Sequence, residues 1–249
     1  MEVHHPHHPT HKKKWTEYII EFVMLFTAVT LGFFAENIRE SIAENHKKEE
    51  LLAAVVHNFK TDKAEIQAHR LIVKKGIKVA DNFIKLLQMD YKQVNKIEFY
   101  TTALSYTEEF ELVLNENTRN DAEAKGYFTN EDISEMSSIL NKYNYFYNDY
   151  KQMSLGCLES CKRFSNDIIM YVLDAKLIQK GDFVSLSNGN TKDPAFNGKL
   201  EKPIDQKIVE KIIFDAWERK ALLNGQLIVF DSLDLYANKA IVKLSTENK

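Results

Sequence analysis

The chain has 249 residues, a formal net charge of −3, a pI near 6.3, and 44% hydrophobic against 28% charged residues. That length accommodates one substantial domain with an added segment. The composition is ordinary for a globular protein, and the acidic balance provides no basic face for nucleic acid. Only 8 glycines and 4 prolines occur, and no proline interrupts residues 10–193. Proline removes an N–H donor and clashes with the preceding turn, so this long run, rich in Lys, Glu, Leu, Ile and Ala, predicts an all-α fold of long helices.

Residues 1–14 form a His/Lys-rich tail holding His4, His5, His7, His8 and His11, then Lys12, Lys13 and Lys14. Crowded imidazoles capture Zn, Ni or Cu, but a specific site needs a fixed geometry. A tail broken by Pro6 and Pro9 does not supply one, so it reads as a solvated flank and no metal ligand is assigned.

Residues 15–35 (WTEYIIEFVMLFTAVTLGFFA) carry Glu17 and Glu21 as their only charges. As a helix they extend about 31 Å at 1.5 Å per residue, the thickness of a hydrocarbon core. Trp15 and Tyr18 occupy the place of an interfacial aromatic belt, and Glu21 lies one turn from Glu17, within snorkelling reach of the same interface. The wholly uncharged part, 22–35, also fits a buried helix or a signal-peptide core. Cleavage is poorly served, however: Ala35 at −1 leaves the bulky Phe33 at −3. The expectation is an uncleaved transmembrane helix in a bacterial inner membrane, a lipid bilayer being the first partner. The lysine flank places the N-terminus in the cytoplasm and the C-terminal domain in the periplasm. Ala28 and Gly32 form a small-xxx-small pair, readable either as a contact between spans or as ordinary membrane-helix composition.

No breaker follows. Ile38, Ile42, Asn45, Glu49, Leu52, Val56, Phe59, Lys63, Ile66, Arg70 and Val73 step by fours and threes, the spacing of a helix seam. Residues 36–75 are therefore read as a stalk helix packed on the domain, with Gly76 a point of loosening, and residues 76–249 as a helical domain. Within it, 78–87 continues helically and 97–114 predicts an aromatic-rich helix. Residues 115–126 hold turn signals with room for a short helix. Thr129 or Asn130 caps a helix reaching about residue 178 unless Gly156 breaks it. Residues 180–203 form a loop, and Pro203 suits the first turn of a helix lined by Ile204, Ile208, Ile212 and Trp217. Asn224-Gly225 marks a turn before a last helix with Leu227, Phe230, Leu233 and Ile241.

The run WTEYIIEFVMLFTAVTLGFFAENIRE, followed by HKKEELLAAVVHNFKTDKAEI, resembles the opening of a family of single-span envelope proteins of Bacteroidetes-type bacteria, a domain of unknown function. The shared features are a His-rich head, a Glu-Phe-led membrane segment, an Ala-Glu-Asn-Ile-Arg-Glu exit and a charged helix. Val56-His57-Asn58-Phe59-Lys60 stands where that family carries Leu-x-x-Asp-Leu-like residues. The resemblance covers residues 1–70; it implies the same anchor and orientation, and no activity.

Motifs for chemistry are scarce. His46, His57 and His69 lie beside the expected seam and no histidine follows them, which removes the commonest general base and metal ligand from the distal chain. HExxH is absent. Glycines are never closer than eight residues apart, so GxGxxG, GxSxG and the phosphate-cradling P-loop are excluded. Cys157 and Cys161 share a helix face and are read as small buried residues, because bridging i and i+4 within a helix is geometrically awkward. Tyr143, Tyr145, Phe146, Tyr147 and Tyr150 are read as core rather than as a ligand pocket. No catalytic, cofactor-binding or metal residue and no cofactor is assigned. The expected role is non-enzymatic: a structural or interaction protein engaging another envelope protein or itself, with a periplasmic sensor or ligand-binding module as the alternative.

Overall fold

Alternating steps of three and four between apolar positions set the architecture. A computed structural model describes residues 14–106, 111–128, 133–168, 172–173 and 194–247. Among them the chain is all-α and has no strand: α1 spans Trp15–Gln88, α2 Lys96–Ser105, α3 Asn117–Ala124, α4 Ile133–Asp167 and α5 Gln206–Glu247. The tail histidines, the expected caps Thr129 and Asn130, and loop residues 180–193 lie outside the described residues.

The chain divides into two compact units, 1–51 and 52–249, and α1 contributes to both. In the first, the Thr30 hydroxyl folds back on the Phe26 carbonyl at 2.8 Å, so the helix satisfies its own polar group. An 18-residue window of mean hydropathy 2.0, none of it buried, makes this helix long and apolar enough to cross a membrane.

In the second unit three long helices share a core. α1 buries Leu52, Val55, Phe59, Asp62, Ile66, His69 and Val73, then Ala80, Phe83 and Leu87. Lys63 meets Asn238, Gln67 meets Asp234, and Arg70 meets Asp231, so α5 runs antiparallel to α1. α4 runs parallel to α1, with Phe59 on Tyr143 and Phe83 on Phe164, ring centroids 5.1 and 5.3 Å apart. Between them the chain returns. Tyr106, just past α2, packs on Phe83 and Phe164, Leu112 reaches Tyr150, and Asn115 and Arg119 reach Asp62. α2, the non-helical stretch 111–116 and α3 together make a broken fourth wall, completing an up-down-up-down bundle.

Several expected boundaries move. The helix expected over 97–114 stops at Ser105, and the piece within 115–126 is α3. Gly76, Gly156 and Gly225 break nothing; all three lie inside helices. A Cβ at Gly76 would meet Leu223 at 3.4 Å, one at Gly156 would meet Leu222 at 3.2 Å, and one at Gly225 would meet Met153 at 3.0 Å. These glycines each cost about 1 kcal/mol of helix propensity and leave room for the Leu223, Leu222 and Met153 side chains against the helices. α5 consequently runs on through Asn224. Its N-terminus is capped by Asp205, whose carboxylate accepts the Lys207 and Ile208 amides at 2.9 and 3.3 Å. Trp217, expected to line that helix, is 59% exposed.

The seam is half as expected. Leu52, Phe59, Ile66 and Val73 lie on it, but the alternate positions are Val55, Asp62 and His69 rather than Val56, Lys63 and Arg70. Truncating Phe59, fully buried, to alanine should cost about 3–5 kcal/mol in denaturant unfolding of the full chain in detergent, whereas Val56→Ala should cost under about 1.5 kcal/mol. Equal losses would place Val56 on the seam instead.

Candidate functional site

A segment that leaves the helix releases its amides, and buried amides must find acceptors. In the stretch 111–116, side chains of α1 and α4 provide them. Leu112 N–H donates to the Tyr150 hydroxyl at 2.7 Å, Leu114 N–H to the Tyr147 hydroxyl at 3.0 Å, and Asn115 N–H to Asp62 Oδ1 at 3.1 Å. The second Asp62 oxygen accepts from Arg119 Nη1 at 2.6 Å and from the Tyr143 hydroxyl at 3.0 Å. Asp62 and Arg119 are 2% and 1% exposed, and the guanidinium lies 5.1 and 4.8 Å from the Phe59 and Tyr143 ring centres. Burial, reinforced by the Asp62 charge, pushes the Tyr143 phenol well up, so it keeps the proton it donates.

Two turns along α1, His69 Nε2 lies 3.2 Å from the Tyr150 hydroxyl. That hydroxyl also accepts from the Leu112 amide at 2.7 Å, so it joins the imidazole to the backbone of the stretch 111–116. Burial lowers the His69 pKa below 6.5, leaving the ring neutral at pH 7. Tyr150 and Phe230 both meet the imidazole edge to face, at 5.8 Å.

Beside His69 a small cavity opens between α1, α4 and α5, lined also by Gly76, Tyr106, Ser154, Cys157, Arg219 and Gln226. Its interior is about 50 Å³. One water needs roughly 10–15 Å³ on that scale, whereas drug-sized ligands occupy about 300–1,000 Å³. The cavity therefore takes a few waters or a group of a few heavy atoms. The Tyr106 hydroxyl is buried there without a hydrogen-bond partner. Burial raises its pKa against the pull of Arg219, whose guanidinium sits 4.4 Å over the ring. Gln226 Nε2 donates to Cys157 Sγ, and the Cys161 thiol to the Tyr106 carbonyl, both at 3.7 Å.

His69, read from sequence as lying beside the seam, is thus on it; its partner Tyr150 and the Leu112 amide that Tyr150 accepts lie 81 and 43 residues away in sequence, and no local signal joins them. His46 and His57 are exposed. Cys157 and Cys161 are buried thiols without a disulfide. Tyr143, Tyr147 and Tyr150 are core, whereas Tyr145 is 66% exposed. Among the described residues no three His, Cys, Asp or Glu side chains are placed to hold a metal ion. No protein-family model, curated protein or solved structure matches the chain.

Removing one member of a buried ion pair strands the other, so Asp62→Ala should cost about 3–5 kcal/mol. Asp62→Leu with Arg119→Met should recover part of that loss; the remainder reflects the Asn115 amide and Tyr143 hydroxyl left without an acceptor. A double variant as unstable as the single one would contradict the pairing.

His69 gives a pH dependence of definite sign. Its folded pKa is depressed, so its stabilising effect is complete above pH 6.5 and is lost as pH falls below that value. The loss is at most about 1.4 kcal/mol per pH unit for one proton. Stability measured from pH 7 to 5 should fall more steeply for the wild type than for His69→Gln; parallel curves would mean that the imidazole titrates normally.

Proposed function

We propose that the chain is a single-span protein of a bacterial inner membrane whose second unit is a non-enzymatic helical module in the periplasm, of structural or protein-interaction type. The observation that carries this reading is the contrast within α1. Its N-terminal stretch exposes the 18-residue window of mean hydropathy 2.0, whereas from Leu52 onward it buries one apolar row in a core. Fifteen exposed large apolar side chains from Trp15 to Ile42 are far beyond the isolated apolar residues that soluble surfaces carry. Lysine residues 12–14 set the orientation by the positive-inside rule. The resemblance of residues 1–70 to single-span envelope proteins of Bacteroidetes-type bacteria supports the same placement. The buried polar cluster supports a structural role: Asp62 accepts from the Asn115 amide, from Nη1 of Arg119 and from the Tyr143 hydroxyl, all within the fold.

The cavity beside His69, with the buried Tyr106 hydroxyl, favours a second reading, a sensor responding to a small polar ligand. A rise in melting temperature with one member of a panel of small polar metabolites, lost in Tyr106→Phe, would select it over the first.

For the primary reading, a reporter active only outside the cytoplasm should work when fused after Lys249, and a reporter active only inside should fail. The full chain should stay in the membrane pellet after alkaline carbonate extraction. Release into the supernatant, or the opposite reporter pattern, would refute the anchor or its orientation respectively.

A further inference from the structure

The outer face of α5 carries an apolar row at intervals of seven residues: Phe214, Ala221, Ile228, Leu235 and Val242. The inner face of the same helix, from Val209 and Ile212 to Leu244 in steps of three and four, is buried. With those two residues at heptad positions a and d, the row falls at f, the position turned away from the core. Its large members Phe214, Ile228, Leu235 and Val242 are 70%, 69%, 50% and 63% exposed, and Trp217 beside it is 59% exposed. No charge interrupts the row over four heptads, about 42 Å of helix at 1.5 Å per residue. The outward face of a bundle helix is ordinarily polar. Polar neighbours do stand on either side, and they turn to their own bundle: Asp231 to Arg70, Lys211 to Asp167, Glu218 to Arg163.

We propose that this row is the contact between two copies of the chain, packed with their α5 helices parallel about a two-fold axis. Seven-residue spacing keeps the row in line along a supercoiled helix, so a second copy matches it over its full length and each level meets its own kind. The flanks are compatible in charge. Parallel pairing sets Glu210 of one copy beside Lys211 of the other and Asn238 beside Lys239; between Phe214 and Val242 no like charges are opposed, and Lys207, one heptad before the row, meets its counterpart in the first turn of the helix. Phe214, Trp217, Ile228, Leu235 and Val242 keep 50–70% of their surfaces open to such a partner. The polarity rests on the anchored reading: copies tethered at the same end meet in the same direction and at high local concentration.

The test uses the full chain in membranes of the producing cells. Single cysteines replace Phe214, Ile228 or Leu235, with controls at Leu71 and Tyr145, which are 69% and 66% exposed on α1 and α4. The native thiols, 1% and 3% exposed, stay in place, and the unaltered chain measures their background. Under mild copper-phenanthroline oxidation the three row positions should give covalent homodimers roughly tenfold faster than the controls. F214C should join to itself, which antiparallel packing forbids. Ile228→Glu should convert the dimer to a monomer in light scattering while helical circular dichroism is unchanged, since the row lies outside the core. Row cysteines no faster than controls, failure of F214C to self-join, adducts with a different protein, or an unchanged mass for Ile228→Glu with Leu235→Lys would each overturn the proposal. Carbonate extraction of the same membranes reads the anchor separately: a released chain that still crosslinks through the row refutes the anchor and leaves the dimer standing.

Discussion

The second unit depends on the carboxylate of Asp62. Three elements meet at its two oxygens: the Asn115 amide from the stretch 111–116, the Arg119 guanidinium from α3 and the Tyr143 hydroxyl from α4. Without them the fourth wall of the bundle would carry unpaired amides against an apolar core, which folding does not tolerate. The pair's net contribution to stability is small, because desolvating two charges offsets most of their attraction. Its effect is on register. A heptad seam looks much the same after a slide of seven residues, but such a slide here would set Val55 or His69 against Arg119 and leave its charge uncompensated. A polar residue at a seam position fixes alignment in coiled coils for the same reason.

His69 repeats that logic one heptad along. Its imidazole is hydrogen-bonded to Tyr150, which accepts from Leu112, so one chain of hydrogen bonds ties α1, α4 and the stretch 111–116. One further heptad reaches Gly76, where the seam holds no side chain and Leu223 closes in. Two polar levels and one bare level thus follow in order along α1, and the small cavity lies where the last two adjoin.

Much of this was legible in sequence, and the failures have physical causes. The proline-free run and the apolar stretch 15–35 are local properties, and they identified helices and the membrane-competent segment. The seam was legible at Leu52, Phe59, Ile66 and Val73, where both candidate registers agree. They part at the alternate positions, where each offers two polar residues: Lys63 and Arg70, or Asp62 and His69. Nothing local decides between them, because the reason to bury Asp62 lies at Arg119 and Tyr143, 57 and 81 residues away. The break after Ser105 was hidden likewise. Residues 106–114 hold no glycine or proline, and the non-helical residues 111–116 are held by Tyr150 and Tyr147, which accept the Leu112 and Leu114 amides from outside. Glycines misled in the other direction: breakers on intrinsic propensity, they lie inside helices here, where Leu223, Leu222 and Met153 pack close against them. On α5 an inner row diluted by Arg219 and Gln226 and an outer row rich in large apolar residues blur into one pattern, which is how Trp217 came to be read as lining.

This separation of rows bears on where function can reside. In α5 the charged and amide side chains Arg219 and Gln226 face inward and the large apolar ones Phe214, Ile228 and Leu235 face outward. The inward polar groups pack about Tyr106 and Cys157, so changing them disturbs the fold itself. The outward row adds nothing to the core and weakens solubility in an isolated copy. A sequence under no constraint beyond folding would fill position f with lysine and glutamate, which are better helix formers on a wet surface. Keeping phenylalanine, isoleucine and leucine there for four heptads gives up solubility that folding does not require to be lost. On the proposed reading that cost is offset by association of tethered copies, which places the interaction surface on a face that can vary independently of the buried ion pair holding the bundle in register.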